Sequence, residues 1–197
     1  MNKIYIYGAS GHGLVVADIA KLCGYKEVIY VDDGDNDNLS FEDIRSNNKI
    51  PLAFGIGDNN VRHSLFEKVI KSRFEVVTLV HPSAIISPSV TIGIGSVVMA
   101  NVIINAKSKI GKCVILNSSS IIEHENIIEE FTHISPAVAL SGNVTIEAFT
   151  HIGIGSCIKQ GITVGKNCIV GAGSTVLKNI EDNKMCFGTP CKIIRNK

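Results

Sequence analysis

"IIEHENIIEEFTHISP" (residues 121–136) places its aliphatic residues at an interval that neither a helix nor a flat strand explains. Ile122, Ile128 and Ile134 recur every six residues. Six residues turn an α-helix through about 600°, so a stripe at this spacing would wander around the helix. Followed outward, the register runs unbroken from residue 85 to 180: IISPSV TIGIGS VVMANV IINAKS KIGKCV ILNSSS IIEHEN IIEEFT HISPAV ALSGNV TIEAFT HIGIGS CIKQGI TVGKNC IVGAGS TVLKNI. The second place is Ile, Val or Leu in all sixteen hexads, and self-similarity of this length marks a repeat architecture. A parallel β-helix fits the period. Each hexad forms one short side, the chain turns a corner, and the second-place aliphatic points inward. Three sides per coil give a little over five coils, a prism roughly 25 Å tall at about 4.8 Å per coil. Gly93, Asn105, Gly111, Asn117, Gly153, Gly165 and Gly171 hold third places, so the corners are expected there, because Gly and Asn accept left-handed backbone.

The first eighty residues change rhythm. "KIYIYGASGHG" reads as a buried strand entering a Gly-rich turn, and "HGLVVADIAKLCGY" as an amphipathic helix. "EVIYVDD", "PLAFGIGDNN" and "EVVTLVHP" read as further strands, with a second helix over "VRHSLFEKVIKSRF". Alternating β and α segments predict a parallel sheet with helices on its faces. "HPSAIISPS" (81–89) marks the join, which divides the chain into 1–81 and 82–197. The expected fold is a small Rossmann-like α/β domain followed by a parallel β-helix and a C-terminal tail. Gly8, Gly11 and Gly13 lie between strand and helix, and Asp32 ends the next strand. That is the layout of a nucleotide-binding βαβ unit, with amides and a helix N-terminus facing phosphate and the acid facing a ribose or ring hydroxyl. The G-x-x-G-x-G spacing departs from the dinucleotide fingerprint, and four strands make half of a dinucleotide domain. A mononucleotide therefore fits better than NAD.

Bulk properties narrow the field. The 197 residues carry a net charge of +1 without basic or acidic blocks, which gives no reason to expect nucleic acid or a membrane surface. No apolar run approaches a membrane span. The start turns Gly-rich too early for a secretory leader, so the cytoplasm is the expected location. The six cysteines form no CxxC pair, which favours reduced thiols over a zinc site or a disulfide framework.

The hexad pattern resembles the left-handed β-helix of hexapeptide-repeat acyltransferases, and that resemblance supplies the handedness. Taken in order, "YGASGHG", "VDD", "GIGDNNVR", "IIEHEN", "FTHISP" and "GTPCK" resemble the sugar O- and N-acetyltransferases typified by sialic acid O-acetyltransferase and UDP-4-amino-sugar N-acetyltransferase. Cys191 stands where that family usually has Ala. The resemblance implies acetyl transfer from acetyl-CoA to the 4-amino group of a UDP-4-amino-4,6-dideoxy-N-acetyl sugar, giving UDP-diacetylbacillosamine. It implies that Ser10, Gly11 and His12 hold the nucleotide-sugar phosphates. Asp32 and Asp33 would bind the uridine end, and Gly57 would line the same pocket. His124 would be the catalytic base and Glu125 its partner, while His133, Gly142, Ile154 and Ala172 would contact acetyl-CoA. No metal is implied. The resemblance also implies a homotrimer with active sites between subunits.

The chemistry suits these residues. An amine attacking a thioester must lose a proton, and a neutral imidazole is the usual acceptor near neutral pH. Adjacent strand residues point to opposite faces, so pairing Glu125 with His124 requires a corner or bulge at 124–125. Direct attack through a ternary complex needs no serine or cysteine nucleophile. His133 and His151 occupy equivalent places one coil apart, whereas His63 reads as a surface residue and His81 as part of the join. Rival readings are O-acetylation of sialic acid or a related sugar, and a non-catalytic sugar-nucleotide-binding protein that needs neither the His–Glu pair nor a CoA site. A small dehydrogenase is a third, disfavoured by the half-size sheet.

Overall fold

A computed structural model describes residues 2–197. Its N-terminal part is a three-stranded parallel sheet of β1 (Lys3–Tyr7), β2 (Glu27–Val31) and β3 (Leu52–Phe54), in the order β2-β1-β3. Helices α1 (Gly11–Leu22), α2 (Phe41–Ile44) and α3 (Asn59–Lys71) connect and flank it. The fourth strand expected at "EVVTLVHP" splits. Val76 makes an isolated bridge to Leu52, while Leu79–Val80 pairs with Val97–Val98 and opens the solenoid.

From Leu79 to Val176 the chain forms seventeen two-residue strands at six-residue spacing, nearly six coils, one rung earlier than the hexad register starts. They stack into three faces. The first carries Val97–Val98, Ile115–Leu116, His133–Ile134, His151–Ile152 and Ile169–Val170. The second carries Ile85–Ile86 through Thr175–Val176, and the third Thr91–Ile92 through Thr163–Val164. The second-place aliphatics point inward as expected. Val98, Leu116, Ile134, Ile152 and Val170 fill one buried column, and only Val80, Ile86 and Ile92 at the open end are partly exposed. Each such side chain contributes about 1.5–3 kcal/mol by leaving water. An antiparallel hairpin, Lys184–Phe187 with Lys192–Asn196, closes the far end.

The corners are built differently from the expectation. The left-handed backbone falls at the fifth place of fourteen of the sixteen hexads, all but the first and last: Asn101, Lys107, Cys113, Ser119, Glu125, Phe131, Ala137, Asn143, Phe149 and Asn167 all have φ between 51° and 62°, and Gly95, Gly155, Gly161 and Gly173 continue the series. The third-place glycines answer a different need. A Cβ on Gly93 would stand 2.5 Å from the Lys112 amide nitrogen, and one on Gly111 2.6 Å from that of Glu130, each one coil on. Their role is close approach between coils, not a corner dihedral.

The α/β part packs on the first face and on the corner where the third face meets it. Asn59 Nδ2 donates to Phe149 O (3.0 Å) and Thr150 O (3.2 Å), and Arg62 Nε donates to Cys113 O (2.9 Å). His63, expected at the surface, stands edge-on to Phe131 and Phe149 at 4.7 and 5.2 Å. His81 stays in the join, where Ser83 Oγ lies 2.8 Å from its Nδ1.

Candidate active site

Residues 124 and 125 form the corner between the second and third faces. Glu125 takes the left-handed conformation (φ 61°), which turns its carboxylate toward the preceding side chain, and His124 Nδ1 lies 3.1 Å from Glu125 Oε2. An ionised carboxylate only accepts, so Nδ1 carries the proton and Nε2 keeps its lone pair. Both side chains are half-exposed. The corner required for the pairing is therefore present. Gly142 lies directly above it, one coil on.

His12 and His133 meet at the seam between the two parts of the molecule. Their ring centroids are 6.3 Å apart, and His133 stacks on His151 at 4.6 Å with an interplanar angle of 8°. Asn117 Nδ2 donates to His133 Nε2 (3.1 Å), and Ser135 Oγ lies 2.8 Å from His151 Nε2. His12 Nε2 is buried without a partner among the described residues. Burial, and secondarily the Arg62 charge, holds the His12 imidazole down to about 4. Burial, then the neighbouring His151, Arg62 and His12 charges, holds His133 down to about 3. Both rings are neutral at physiological pH.

Arg62, which ends the "GIGDNNVR" motif but had no role read from it, organises this seam. The side chain is 1% exposed and donates to Cys113 O, Ile56 O, Gly57 O, Asn59 Oδ1 and Thr132 O. Five oxygen acceptors replace its water shell, and burial lowers it to about 10. It fixes the Gly57 turn against the coil that carries His133.

The Gly-rich turn is assembled as the βαβ pattern predicts. A Cβ on Gly13 would stand 1.9 Å from Gly8 O, whereas Gly11 faces open space. Ser10 is the N-cap of α1, but its side chain makes no cap bond and the first turn holds no acid, so the end of the helix is open to an anion. The two aspartates are already engaged. Asp32 accepts from Ala9 N and Gly34 N, each at 2.9 Å, and its carboxyl is lowered chiefly by the Ala9 amide. Asp33 accepts from Phe41 N (2.7 Å), Tyr7 Oη (2.5 Å) and Lys68 Nζ (2.8 Å). Burial alone would raise Asp33, but Lys68, the Phe41 amide and Tyr7 outweigh it and the carboxyl is lowered. With Tyr7, Gly8, Gly34, Ile56, Val61 and Leu65, the two aspartates line a cavity of about 200 Å³.

The expected site residues fall into separate groups. Ser10, Gly11, His12 and Gly57 lie near the seam with His133, and Asp32 and Asp33 line the cavity beside the glycine turn. His124, Glu125 and Gly142 share the corner opposite the first face. Ile154 and Ala172 are exposed one coil apart on the corner between the first and second faces. Among the described residues no group of three or more His, Cys, Asp or Glu side chains could hold a metal ion, and no helix is long and apolar enough to cross a membrane.

Residues 3–69 match the family model described as the PglD N-terminal domain. The chain is 32% identical to GDP-perosamine N-acetyltransferase from Caulobacter crescentus, solved as a histidine-to-alanine variant with CoA and GDP-perosamine, with a TM-score of 0.95 and coverage of 100% of this chain and 98% of that one. It is 33% identical to the acetyltransferase domain of PglB from Neisseria gonorrhoeae in complex with acetyl coenzyme A, with a TM-score of 0.93 and coverage of 98% and 99%. A 49-residue stretch is 43% identical to UDP-N-acetylbacillosamine N-acetyltransferase from Bacillus subtilis; it spans 25% of this chain and 23% of that protein.

Proposed function

The chain belongs to the left-handed β-helix family of acetyl-CoA-dependent sugar-nucleotide N-acetyltransferases, and on that premise we propose that it acetylates the 4-amino group of a UDP-4-amino-4,6-dideoxy-N-acetyl sugar, giving UDP-diacetylbacillosamine, with His124 as general base. The observation that carries the mechanism is the corner at 124–125. An exposed imidazole with its Nδ1 proton on a carboxylate offers a free Nε2 to an incoming amine. The amine nitrogen attacks the thioester carbonyl. Its proton passes to Nε2, the carbon–sulfur bond breaks, and CoA leaves as the thiolate that then takes up a proton. Glu125 stabilises the imidazolium formed on the way. Asp32 and Asp33, which line the cavity beside the glycine turn, would face the uridine end. The phosphates would lie at Ser10, Gly11 and His12.

A homotrimer with sites between subunits is part of this proposal, and the same geometry supports it. A three-sided prism has one corner that does not border its first face, and His124 stands there. The glycine turn, His12 and His133 lie on the first face. On this reading one chain separates its own base from its own nucleotide turn, and a neighbouring prism would join them. Gly142 on one side and Ile154 and Ala172 on the other border the second face, whose outward column includes Ile85 (66% exposed), Ile121 (37%) and exposed Cys157. Acetyl-CoA would lie along that face between two chains.

Mass spectrometry of products from acetyl-CoA and a panel of UDP- and GDP-linked 4-amino sugars tests the substrate. A single +42 Da product from the UDP-4-amino-4,6-dideoxy sugar is expected. Turnover of the GDP sugars alone, or of hydroxyl acceptors such as sialic acid, overturns it. Mixing inactive His124→Ala and Gly11→Val chains tests the shared site, because a mixed trimer holds one interface with both wild-type halves. Restored activity is expected, and none appears if each chain carries its own site.

A further inference from the structure

His124 and Gly142 hold the fourth place of successive coils, 18 residues apart on one corner. The coils are locked in register there by Asn143 N donating to His124 O at 2.9 Å. A Cβ on Gly142 would stand 2.4 Å from His124 Cε1, 2.5 Å from Nε2 and 3.1 Å from Nδ1. The imidazole thus fills the space any side chain at 142 would take. Backbone conformation does not ask for glycine here. Gly142 is not among the positive-φ residues, whereas the next glycine on this corner, Gly161, has φ 71°. Nor is the coil above too close, since the ring atoms are the nearest obstacles to the added carbon.

We propose that Gly142 is a positioning residue: it seats the His124 ring against the coil so that Nδ1 meets Glu125 and Nε2 faces the acceptor amine. This rests on the reading of His124 as base and goes beyond a contact with acetyl-CoA. Glu125 alone is a weak tether. The two side chains are 52% and 53% exposed, and a pair in that setting holds a ring loosely. A flat surface beneath the imidazole removes the rotations that one hydrogen bond leaves open. Any side chain at 142 would push the ring off that surface and break its alignment with Glu125.

A double-mutant cycle separates seat from contact. Gly142→Ala is expected to lower kcat about 10–100-fold, the scale of a misplaced catalytic group, and to leave KM for acetyl-CoA within about 2-fold. Added to His124→Ala, it is expected to cost nothing further, because the ring it displaces is gone. An equal penalty in both backgrounds, or a raised KM with kcat unchanged, overturns the proposal. Wild-type protein gives a second reading that depends on neither rates nor the folding of a variant. A nuclear Overhauser contact between His124 Hε1 and Gly142 Hα is expected, and its absence overturns the seat. If His124→Ala retains its rate while that contact is present, the base assignment fails and the seat stands.

Discussion

His124 and His133 lie nine residues apart in one solenoid and live in opposite environments. His124 stands on a corner, half-exposed, with a carboxylate on Nδ1. His133 lies on a face beneath the α/β part, stacked on His151 and bonded to Asn117 with no carboxylate partner. Place within the hexad decides which is which. First-place side chains point out from a face and take on whatever covers that face. Fourth- and fifth-place side chains sit on corners, where the left-handed turn keeps them reachable and brings neighbours in sequence together. The prism thus keeps one imidazole in water beside an acid and holds another largely out of it, with the same residue type and no change of fold.

The widest way to break the comparison is to remove each ring. His124→Ala is expected to lower kcat by roughly 10²–10⁴-fold, the range for losing a general base, with assembly and CoA binding intact. His133→Ala is expected to act mainly through KM, because its ring lies in the seam beside His12 and away from the corner. Steady-state kinetics with both substrates varied checks this. Equal kcat losses would mean that corner and face do the same job.

The repeat was legible because inward aliphatics must recur at the period of the fold: Ile122, Ile128 and Ile134 announced it. The corner conformation was not. Phe131, Phe149, Cys113 and Glu125 hold φ near +60° although none is a residue that favours it, because stacking between coils overrides local preference. The glycines that drew attention instead, Gly93 and Gly111, mark where one coil approaches the next. The need for a corner at 124–125 could be argued from chemistry alone, since a carboxylate cannot reach the preceding imidazole on a flat strand. Arg62 could not be found this way. Four of its five acceptors are backbone oxygens, which carry no side-chain signal, and those that tie it to the solenoid, Cys113 O and Thr132 O, lie 51 and 70 residues away. Asp32 and Asp33 were visible as acids ending a strand, but their partners Ala9, Phe41, Tyr7 and Lys68 converge only in the folded protein.

Acid sharpens the contrast from the other side. In the unfolded chain His12 and His133 take up protons near 6.5; in the folded chain they do so only near 4 and 3. Across that window the unfolded state binds more protons, so stability is complete above about 6.5 and is lost as pH falls through the window. The groups facing the pair are Arg62 and His151, both cationic when charged, so protonation also adds repulsion. The loss by pH 4 is on the order of 1–3 kcal/mol per ring. Melting temperatures from pH 7.5 to 4 should fall steeply in wild type and less steeply in His133→Gln. Parallel curves would mean that the seam does not hold neutral imidazoles.

The finest cut lies within the corner itself. Glu125→Gln removes the negative charge and keeps a side-chain oxygen able to accept from His124 Nδ1. The tautomer can then survive, and Nε2 keeps its lone pair. What is lost is the attraction between carboxylate and imidazolium. That attraction acts across 3.1 Å but at a site open to water, where such pairs are worth about 1 kcal/mol or less. The expected cost is therefore roughly 3–10-fold in kcat, well short of losing the base, with KM for both substrates unchanged. Added salt should narrow the difference between wild type and Glu125→Gln, because screening weakens an exposed pair. A loss as large as that of His124→Ala, unaffected by salt, would show that the corner closes against water when a second prism packs on it. The imidazole and carboxylate would then belong with His133 among the buried groups, and the contrast between corner and face would hold only for the isolated chain.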